Sequence, residues 1–261
     1  MPARFRSPQL PVDRSAAPSA GVPRPEVVLA RTRRSGRRAG RVRRSAVMLA
    51  VVAIAALFAP AAAPTARAAS TYARDVYFAA GYERQVDSRT CTAAATAMML
   101  NFIARRDLNL GQLYMLRWEQ PRDALADSVQ RGSDPLGWSR ALTYFSSRTG
   151  KPTVYAWEAY GSARSALKRA ARQIAITGKP VGLLVSHGTH AMVMTGFIAS
   201  HNPAKNDSFT LYSIWVSDPY GSAHRGYDAR ATPLNAYTQT DATPWYDQQW
   251  YGRYIVIVPR G

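Results

Sequence analysis

The feature that most restricts the fold of this chain is an uncharged apolar segment, residues 46–59, which separates a leader from the part able to form a core. The segment is about 14 residues long. A membrane-spanning helix needs about 20 residues, whereas the apolar region of a signal peptide needs about 7–15 and precedes small residues at a cleavage site. Ala66-Arg67-Ala68 fits that pattern. We therefore expect a basic leader and signal peptide over 1–69, cleaved after Ala68 or Ala69, and one domain over 70–261 of a secreted or cell-surface-associated protein.

An uncleaved anchor is the alternative for this segment, because it reaches across a thin bilayer when residues 61–63 are counted. In that case the leader would be the protein's attachment to a membrane. Arginine pairs at 33–34, 37–38 and 43–44 are compatible with twin-arginine export, but such pairs arise easily among 12 arginines in 44 residues. The sequence does not decide the export route.

The formal charge of +18 belongs mostly to the leader. Residues 70–261 contain 21 Lys and Arg and 14 Asp and Glu, a formal charge of +7. This excess suits contact with an anionic surface such as a cell wall. The basic residues are scattered and no nucleic-acid-binding motif accompanies them, so we expect no nucleic-acid partner.

Helical patterns precede strand patterns along residues 70–261. Good helix formers, with Ser88 or Thr90 as the cap, predict a first helix, and Asp134-Pro135 opens a third that runs to Gly150. The predicted helices cover 91–106, 109–119, the segment from 135 to 150, and 163–177, and the predicted strands cover 181–185, 191–198, 209–217 and 254–258. This order is typical of an α+β domain with helices packed on an antiparallel sheet.

Cys91 is the only cysteine of the chain, so an exported protein of this sequence has no internal disulfide. A lone thiol outside the cell is exposed to oxidation, and a catalytic nucleophile is one explanation for it. At the first turn of a helix, the positive end of the helix dipole favours thiolate over thiol. A small core side chain is the alternative interpretation.

His190 and Asp218 are the residues that could activate such a thiol. His190 begins a predicted strand, and Asp218 ends another, in Val-Ser-Asp-Pro-Tyr. If the two strands pair in antiparallel fashion, the end of one lies beside the start of the other. Asp218 would then orient the imidazole, and Gln85, six residues before Cys91, could donate to an oxyanion.

The remaining histidines fit this site less well. His187, three residues from His190, could compete with it as the base, whereas His201 and His224 lie in polar loops. A zinc site is a weak alternative, because His187-x-x-His190 supplies two nitrogen ligands without an HExxH motif or a cysteine pair.

The sequence resembles the C39-like branch of papain-fold cysteine peptidases. The resemblance rests on Gln85-Val-Asp-Ser-Arg-Thr-Cys91, on Gly188-Thr-His190-Ala-Met-Val-Met-Thr-Gly196 and on Val216-Ser-Asp218-Pro-Tyr, and it extends from about residue 77 to the C-terminus. It implies a papain-like fold, Cys91 as nucleophile, His190 rather than His187 as general base and acid, Asp218 as its orienting group and Gln85 in the oxyanion hole. Thr92-Ala93 departs from the Gly-Pro that often follows the nucleophile in the family.

These observations together predict a secreted, monomeric cysteine peptidase that cleaves a peptide or amide bond in a peptide or protein substrate. Acyl-enzyme chemistry at a cysteine needs no metal or organic cofactor. Two alternatives remain open. One is a non-catalytic, cell-wall-associated binding module on the same fold, and the other is a thiol acyltransferase or peptidoglycan amidase with the same Cys and His.

Overall fold

A computed structural model of the chain describes residues 71–124, 132–238 and 249–260. The predicted leader, the apolar segment and the cleavage site lie outside the described residues, so secretion and the domain boundary near residue 70 remain predictions. Within the described ranges, no helix is both long enough and apolar enough to span a membrane.

The described residues form four α-helices where sequence propensity favours them, and two of these helices have a side-chain cap. Asp134 caps the third helix by accepting hydrogen bonds from the N–H groups of Leu136 (2.8 Å) and Gly137 (2.9 Å), as predicted. Ser162 caps the fourth, which ends at Gly178 in the left-handed conformation. The helices are α1 (Cys91–Ala104), α2 (Gln112–Glu119), α3 (Pro135–Phe145) and α4 (Ala163–Thr177).

Three predicted helices are shorter than expected. The third was predicted to run from 135 to 150, but it ends as an α-helix at Phe145, and a 3-10 helix over Ser146–Thr149 leads to Gly150. The first stops at Ala104 because Arg105 takes a left-handed conformation with φ of 55°. The second begins at Gln112 rather than at Asn109, whose φ of 51° is also left-handed and does not continue a helix.

In the part of the chain that the structure describes, seven strands form one sheet, and every pair in it is antiparallel. The strands are β1 (Tyr72–Asp75), β2 (Tyr155–Tyr160), β3 (Val181–Val185), β4 (His190–Ala199), β5 (Leu211–Ser217), β6 (Arg225–Asp228) and β7 (Tyr254–Pro259). The strand order is β2-β7-β3-β4-β5-β6, and β1 also pairs with β4. The predicted α+β class is confirmed, but β1 precedes the helices and β2 lies between α3 and α4.

Side chains of the central strands alternate between two buried layers, so helices cover both faces of the sheet. Leu184 of β3 packs with α1, α2 and α3 on one face, whereas its neighbours Leu183 and Val185 pack with α4 on the other. This arrangement explains why these strands read as nearly continuous apolar runs. It also fixes the start of α1 against the start of β4, where the candidate site lies.

Candidate active site

Cys91 is the first residue of α1, and only 8% of it is exposed. Thr90 occupies the N-cap position, but its hydroxyl oxygen accepts from the Asp87 N–H (3.2 Å) and donates to the Asp87 carbonyl (3.1 Å) instead of accepting from a helix N–H, so the expected side-chain cap is wrong. Without a side-chain cap, the N–H groups of the first turn keep their partial positive charge next to the thiol. This environment stabilises an oxyanion that forms beside Cys91.

A tight turn after β3 presents His190. Ser186 and His187 both have positive φ, and Gly188 has φ of 96°, a conformation that side chains rarely adopt. A Cβ atom at Gly188 would lie 2.3 Å from the ring of Tyr237, so the close packing also requires glycine. The turn ends as β4 begins, and the His190 side chain, 17% exposed, is held by a rigid strand.

Antiparallel pairing of β4 with β5 brings Asp218 to His190. Ser217, the last residue of β5, is opposite Val193. The next residue, Asp218, places Oδ1 2.8 Å from His190 Nε2. The same oxygen accepts a hydrogen bond from the Tyr220 N–H at 2.8 Å, which fixes the carboxylate in place. The structure therefore brings these two predicted residues together.

The His190 imidazole also lies close enough to Cys91 for a side-chain hydrogen bond and an electrostatic interaction to raise the pKa of His190. Because Nε2 contacts Asp218, Nδ1 is the ring nitrogen left for the thiol. Burial lowers the pKa of His190, but hydrogen bonds with Asp218 and Cys91 and electrostatic interactions with both raise it more, to about 9. Burial raises the pKa of Asp218, whereas its bonds with His190 and the Tyr220 N–H outweigh this and lower it. An imidazolium next to a carboxylate is therefore the favoured state at neutral pH.

Gln85 lies in the loop before α1 and is tied to the loop that carries Asp218. Its N–H donates to the Pro219 carbonyl at 2.9 Å, and Tyr82 Oη donates to the Asp218 carbonyl at 3.0 Å. The side-chain Nε2 donates to the Asp87 carbonyl at 2.8 Å, and Oε1 is buried with no hydrogen-bond partner among the described residues. One N–H of the amide remains available for a ligand, so an oxyanion role for Gln85 stays a prediction.

The other histidines lie apart from this arrangement. His187 is exposed in the turn, and His201 pairs with the Ser208 carbonyl at 2.8 Å. His224 contacts Asp75 at 2.9 Å and stacks on Tyr77, a second His–Asp pair that the sequence did not indicate. Among the described residues, no group of three or more His, Cys, Asp or Glu side chains is arranged to hold a metal ion.

Glu119 is a residue near the site that sequence reasoning missed. It ends α2, is completely buried, and accepts a hydrogen bond at 2.8 Å from Thr92, the residue after Cys91. Thr96, one turn further along α1, donates to the other carboxyl oxygen at 3.3 Å. Two threonines four residues apart in the first half of a mostly apolar helix were the available signal, because buried hydroxyls require a partner.

A family model described as "Peptidase_C39 like family" matches residues 79–244, more than half of the chain. The matched range includes Gln85, Cys91, His190 and Asp218. A search of curated proteins found no match.

Two solved structures are similar to the chain at low identity. One is a double glycine motif protease from an AMS/PCAT transporter in complex with the leader peptide, with 14% identity, a TM-score of 0.35, and 68% of this chain and 89% of that chain covered. The other is UfSP from C. elegans, with 12% identity, a TM-score of 0.37, and 69% of this chain and 32% of that chain covered.

Proposed function

Because the chain belongs to the Peptidase_C39 like family and has the papain-like cysteine peptidase fold of that family, we propose that it is a secreted hydrolase that cleaves a peptide or amide bond through Cys91, His190 and Asp218. The observation that carries this proposal is the position of His190, between the Asp218 carboxylate at 2.8 Å and the Cys91 thiol. A nucleophile, a base and an orienting group in this order are the arrangement that acyl transfer requires.

The reaction follows from these positions. His190, as the imidazolium, holds the proton that the Cys91 thiol gives up, and the Cys91 thiolate sulfur attacks the substrate carbonyl carbon. The carbonyl oxygen becomes an oxyanion that accepts hydrogen bonds from the Cys91 N–H at the start of α1 and from Gln85 Nε2. His190 then gives the proton to the leaving amine, and a thioester remains on Cys91. His190 next removes a proton from water, which attacks the thioester and releases the acid.

Asp218 contributes by holding the ring rather than by exchanging protons. Its hydrogen bond to Nε2 fixes the orientation in which Nδ1 faces the thiol, and its charge stabilises the imidazolium that forms in each half-reaction. A variant without this carboxylate keeps the nucleophile and the base but loses part of this stabilisation.

We further propose that the substrate is a peptide or protein outside the cell, that the protein acts as a monomer, and that its basic surface can contact an anionic cell wall. The charge of +7 over residues 70–261 supports the last point. Transfer of the acyl group to an amine instead of water would make the same site an acyltransferase, and a peptidoglycan amide would make it an amidase.

A peptide library incubated with the protein, with and without an added amine and followed by mass spectrometry, tests this function. We expect new carboxyl termini from the wild type and none from Cys91→Ala or His190→Ala. His187→Ala is the matched control, since this exposed histidine lies three residues away and should leave cleavage intact. Amine adducts in place of free acids would indicate the acyltransferase. A folded wild type with no product from peptides or peptidoglycan fragments would favour the binding module.

A further inference from the structure

Glu119 is a buried carboxyl group for which the proposed reaction has no use. It has no exposed surface, and in the described ranges no lysine, arginine or histidine forms an ion pair with it. An unpaired carboxylate away from water costs several kcal/mol, and a carboxyl group in that position takes up a proton instead. The hydrogen bonds that Glu119 makes with its neighbours therefore have to suit a neutral carboxylic acid.

The direction of the hydrogen bonds around Glu119 fits the neutral form. Thr92 donates to one carboxyl oxygen at 2.8 Å. Ser133 forms a further hydrogen bond with Glu119 and donates its own proton to Asp123 Oδ1 at 2.7 Å. Because a serine hydroxyl has one proton, Ser133 can receive a hydrogen bond from a protonated Glu119 while it donates to Asp123 at 2.7 Å. Asp123 is half-buried and can keep its charge, whereas Glu119 cannot.

This chain of hydrogen bonds continues to the next helix. Asp123 Oδ1 also accepts from the Asp134 N–H at 3.1 Å, and Asp134 caps α3. The first turn of α1, the end of α2 and the start of α3 are thus joined through one buried carboxyl group. The turn of α1 that it holds begins with Cys91.

We propose that Glu119 is a neutral carboxylic acid that acts as a positioning residue, fixing the Cys91 turn of α1 through Thr92 to the Ser133–Asp123 pair. This inference rests on the proposed function for its effect on reactivity, but not for the protonation state. If Glu119 loses its proton, it can no longer donate a hydrogen bond to Ser133. A negative charge is then buried next to the turn that begins with Cys91. The turn that carries Cys91 then loses its anchor.

The protonation state has a measurable consequence for stability. Burial raises the pKa of Glu119 from 4.5 to about 8, the hydrogen bond from Thr92 opposes this, and the charge of Asp123 adds to it. Other groups with charge or a titratable proton near this network include Cys91 on α1, Arg122 next to Asp123, Asp134 at the start of α3, and Arg140 of α3, which donates to the Arg122 carbonyl at 2.7 Å. Between pH 4.5 and 8 Glu119 keeps one proton in the folded chain that it has lost in the unfolded chain, so its contribution to stability falls as the pH rises.

The test is urea unfolding of the full chain at pH 5 and pH 6, for wild type, Glu119→Gln and the matched control Glu83→Gln. In this interval His190 contributes little, because its stabilisation is lost only as the pH rises from about 6.5 to about 9. We expect the unfolding constant of the wild type and of Glu83→Gln to rise nearly tenfold from pH 5 to pH 6. Glutamine imitates the neutral acid and cannot ionise, so Glu119→Gln should change less than about twofold. An equal slope in Glu119→Gln and wild type would overturn the proposal.

Iodoacetamide labelling of Cys91 at pH 6 tests the positioning role in the same proteins. Glu119→Gln should keep the wild-type labelling rate, and Glu119→Ala should label about tenfold more slowly or more, because small displacements of a reacting group cost large factors in rate. Should Glu119→Ala fail to fold, Thr92→Val removes the first hydrogen bond and takes its place. Wild-type labelling in a folded Glu119→Ala or Thr92→Val protein would overturn the role. A wild type that labels like an ordinary thiol would instead refute the proposed function, and the unfolding slopes would still decide the protonation state.

Discussion

Replacing Asp218 by asparagine removes one negative charge beside His190 and changes the shape of the site little. Asparagine Oδ1 can still accept from the Tyr220 N–H and from His190 Nε2–H, both of which lie 2.8 Å from Asp218 Oδ1 in the wild type. The substitution therefore tests the charge of the orienting group separately from its geometry.

The expected magnitude follows from the type of hydrogen bond that is lost. A hydrogen bond to a charged group contributes about 1.5–3 kcal/mol and a neutral one about 0.5–1.5 kcal/mol, a difference of about 1.4 kcal/mol. This difference corresponds to about one pKa unit. The pKa of His190, about 9 in the wild type, should therefore fall to about 8 in Asp218→Asn.

The difference in stability between Asp218→Asn and wild type should become smaller as the pH rises. The pKa of His190 is raised above its unfolded value of 6.5, so its stabilising contribution is complete below pH 6.5 and is lost as the pH rises through about 9. Asp218→Asn should therefore lose more stability relative to wild type at pH 6 than at pH 10, by about 1.4 kcal/mol.

NMR titration of the histidine ring signals measures the pKa directly, and urea unfolding at the two pH values measures the stability. Asp75→Asn is the matched control, because it removes the carboxylate that contacts His224 at 2.9 Å. It should leave the His190 titration where it is in the wild type. An Asp218→Asn protein whose His190 titrates as in the wild type would refute the electrostatic role given to Asp218.

Three further predictions concern the nucleophile and the scaffold. Cys91→Ala should abolish turnover but keep the circular dichroism spectrum of the wild type, because Cys91 lies at the start of its helix. If the variant unfolds, Cys91 is instead a core residue. Gly196→Ala should destabilise the domain by about 1–3 kcal/mol in urea unfolding, because the new Cβ would lie 2.5 Å from the Arg74 carbonyl oxygen. Gly111→Ala is the control and should change the stability little, because its Cβ would have no neighbouring atom closer than 3.9 Å. Asp134→Ala should lower the free energy of unfolding by about 1 kcal/mol because α3 loses its cap, and Asp134→Asn should keep most of that stability. Equal losses of stability in both variants would contradict a capping role.

Much of the fold was predictable because local signals and the final packing agree. Asp134 and Ser162 begin α3 and α4 as their capping chemistry predicts, and β3, β4, β5 and β7 form at the apolar runs. The position of Asp218 beside His190 was also predictable, since antiparallel pairing of two recognised strands is enough to bring them together.

The strands that were missed lack a local signal. β1 and β6 have four residues each, with the sequences YARD and RGYD, and charged side chains are common on strands at the edge of a sheet. They become strands only because β4 and β5 offer them hydrogen-bonding partners. β2 follows a helix and reads YAWEAY, and its pairing with β7 joins residues about a hundred positions apart.

Glu119 was not predictable as part of the site for the same reason. In the sequence it is an ordinary charged residue at the end of a helix, and its burial depends on how α2 packs against α1. The capping role given to the Thr90 hydroxyl was wrong because its oxygen accepts from the N–H of Asp87, in the preceding loop, at 3.2 Å instead of from a helix N–H.

The central claim is that Cys91 and His190 form an activated pair, and the pH dependence of Cys91 alkylation tests it most directly. The measurement compares wild type with His190→Ala from pH 5 to pH 10. We expect rapid alkylation of the wild type well below the free-thiol pKa of about 8.5, and its loss in the variant. Alkylation of the wild type that follows an ordinary thiol titration, unchanged by His190→Ala, would contradict the account.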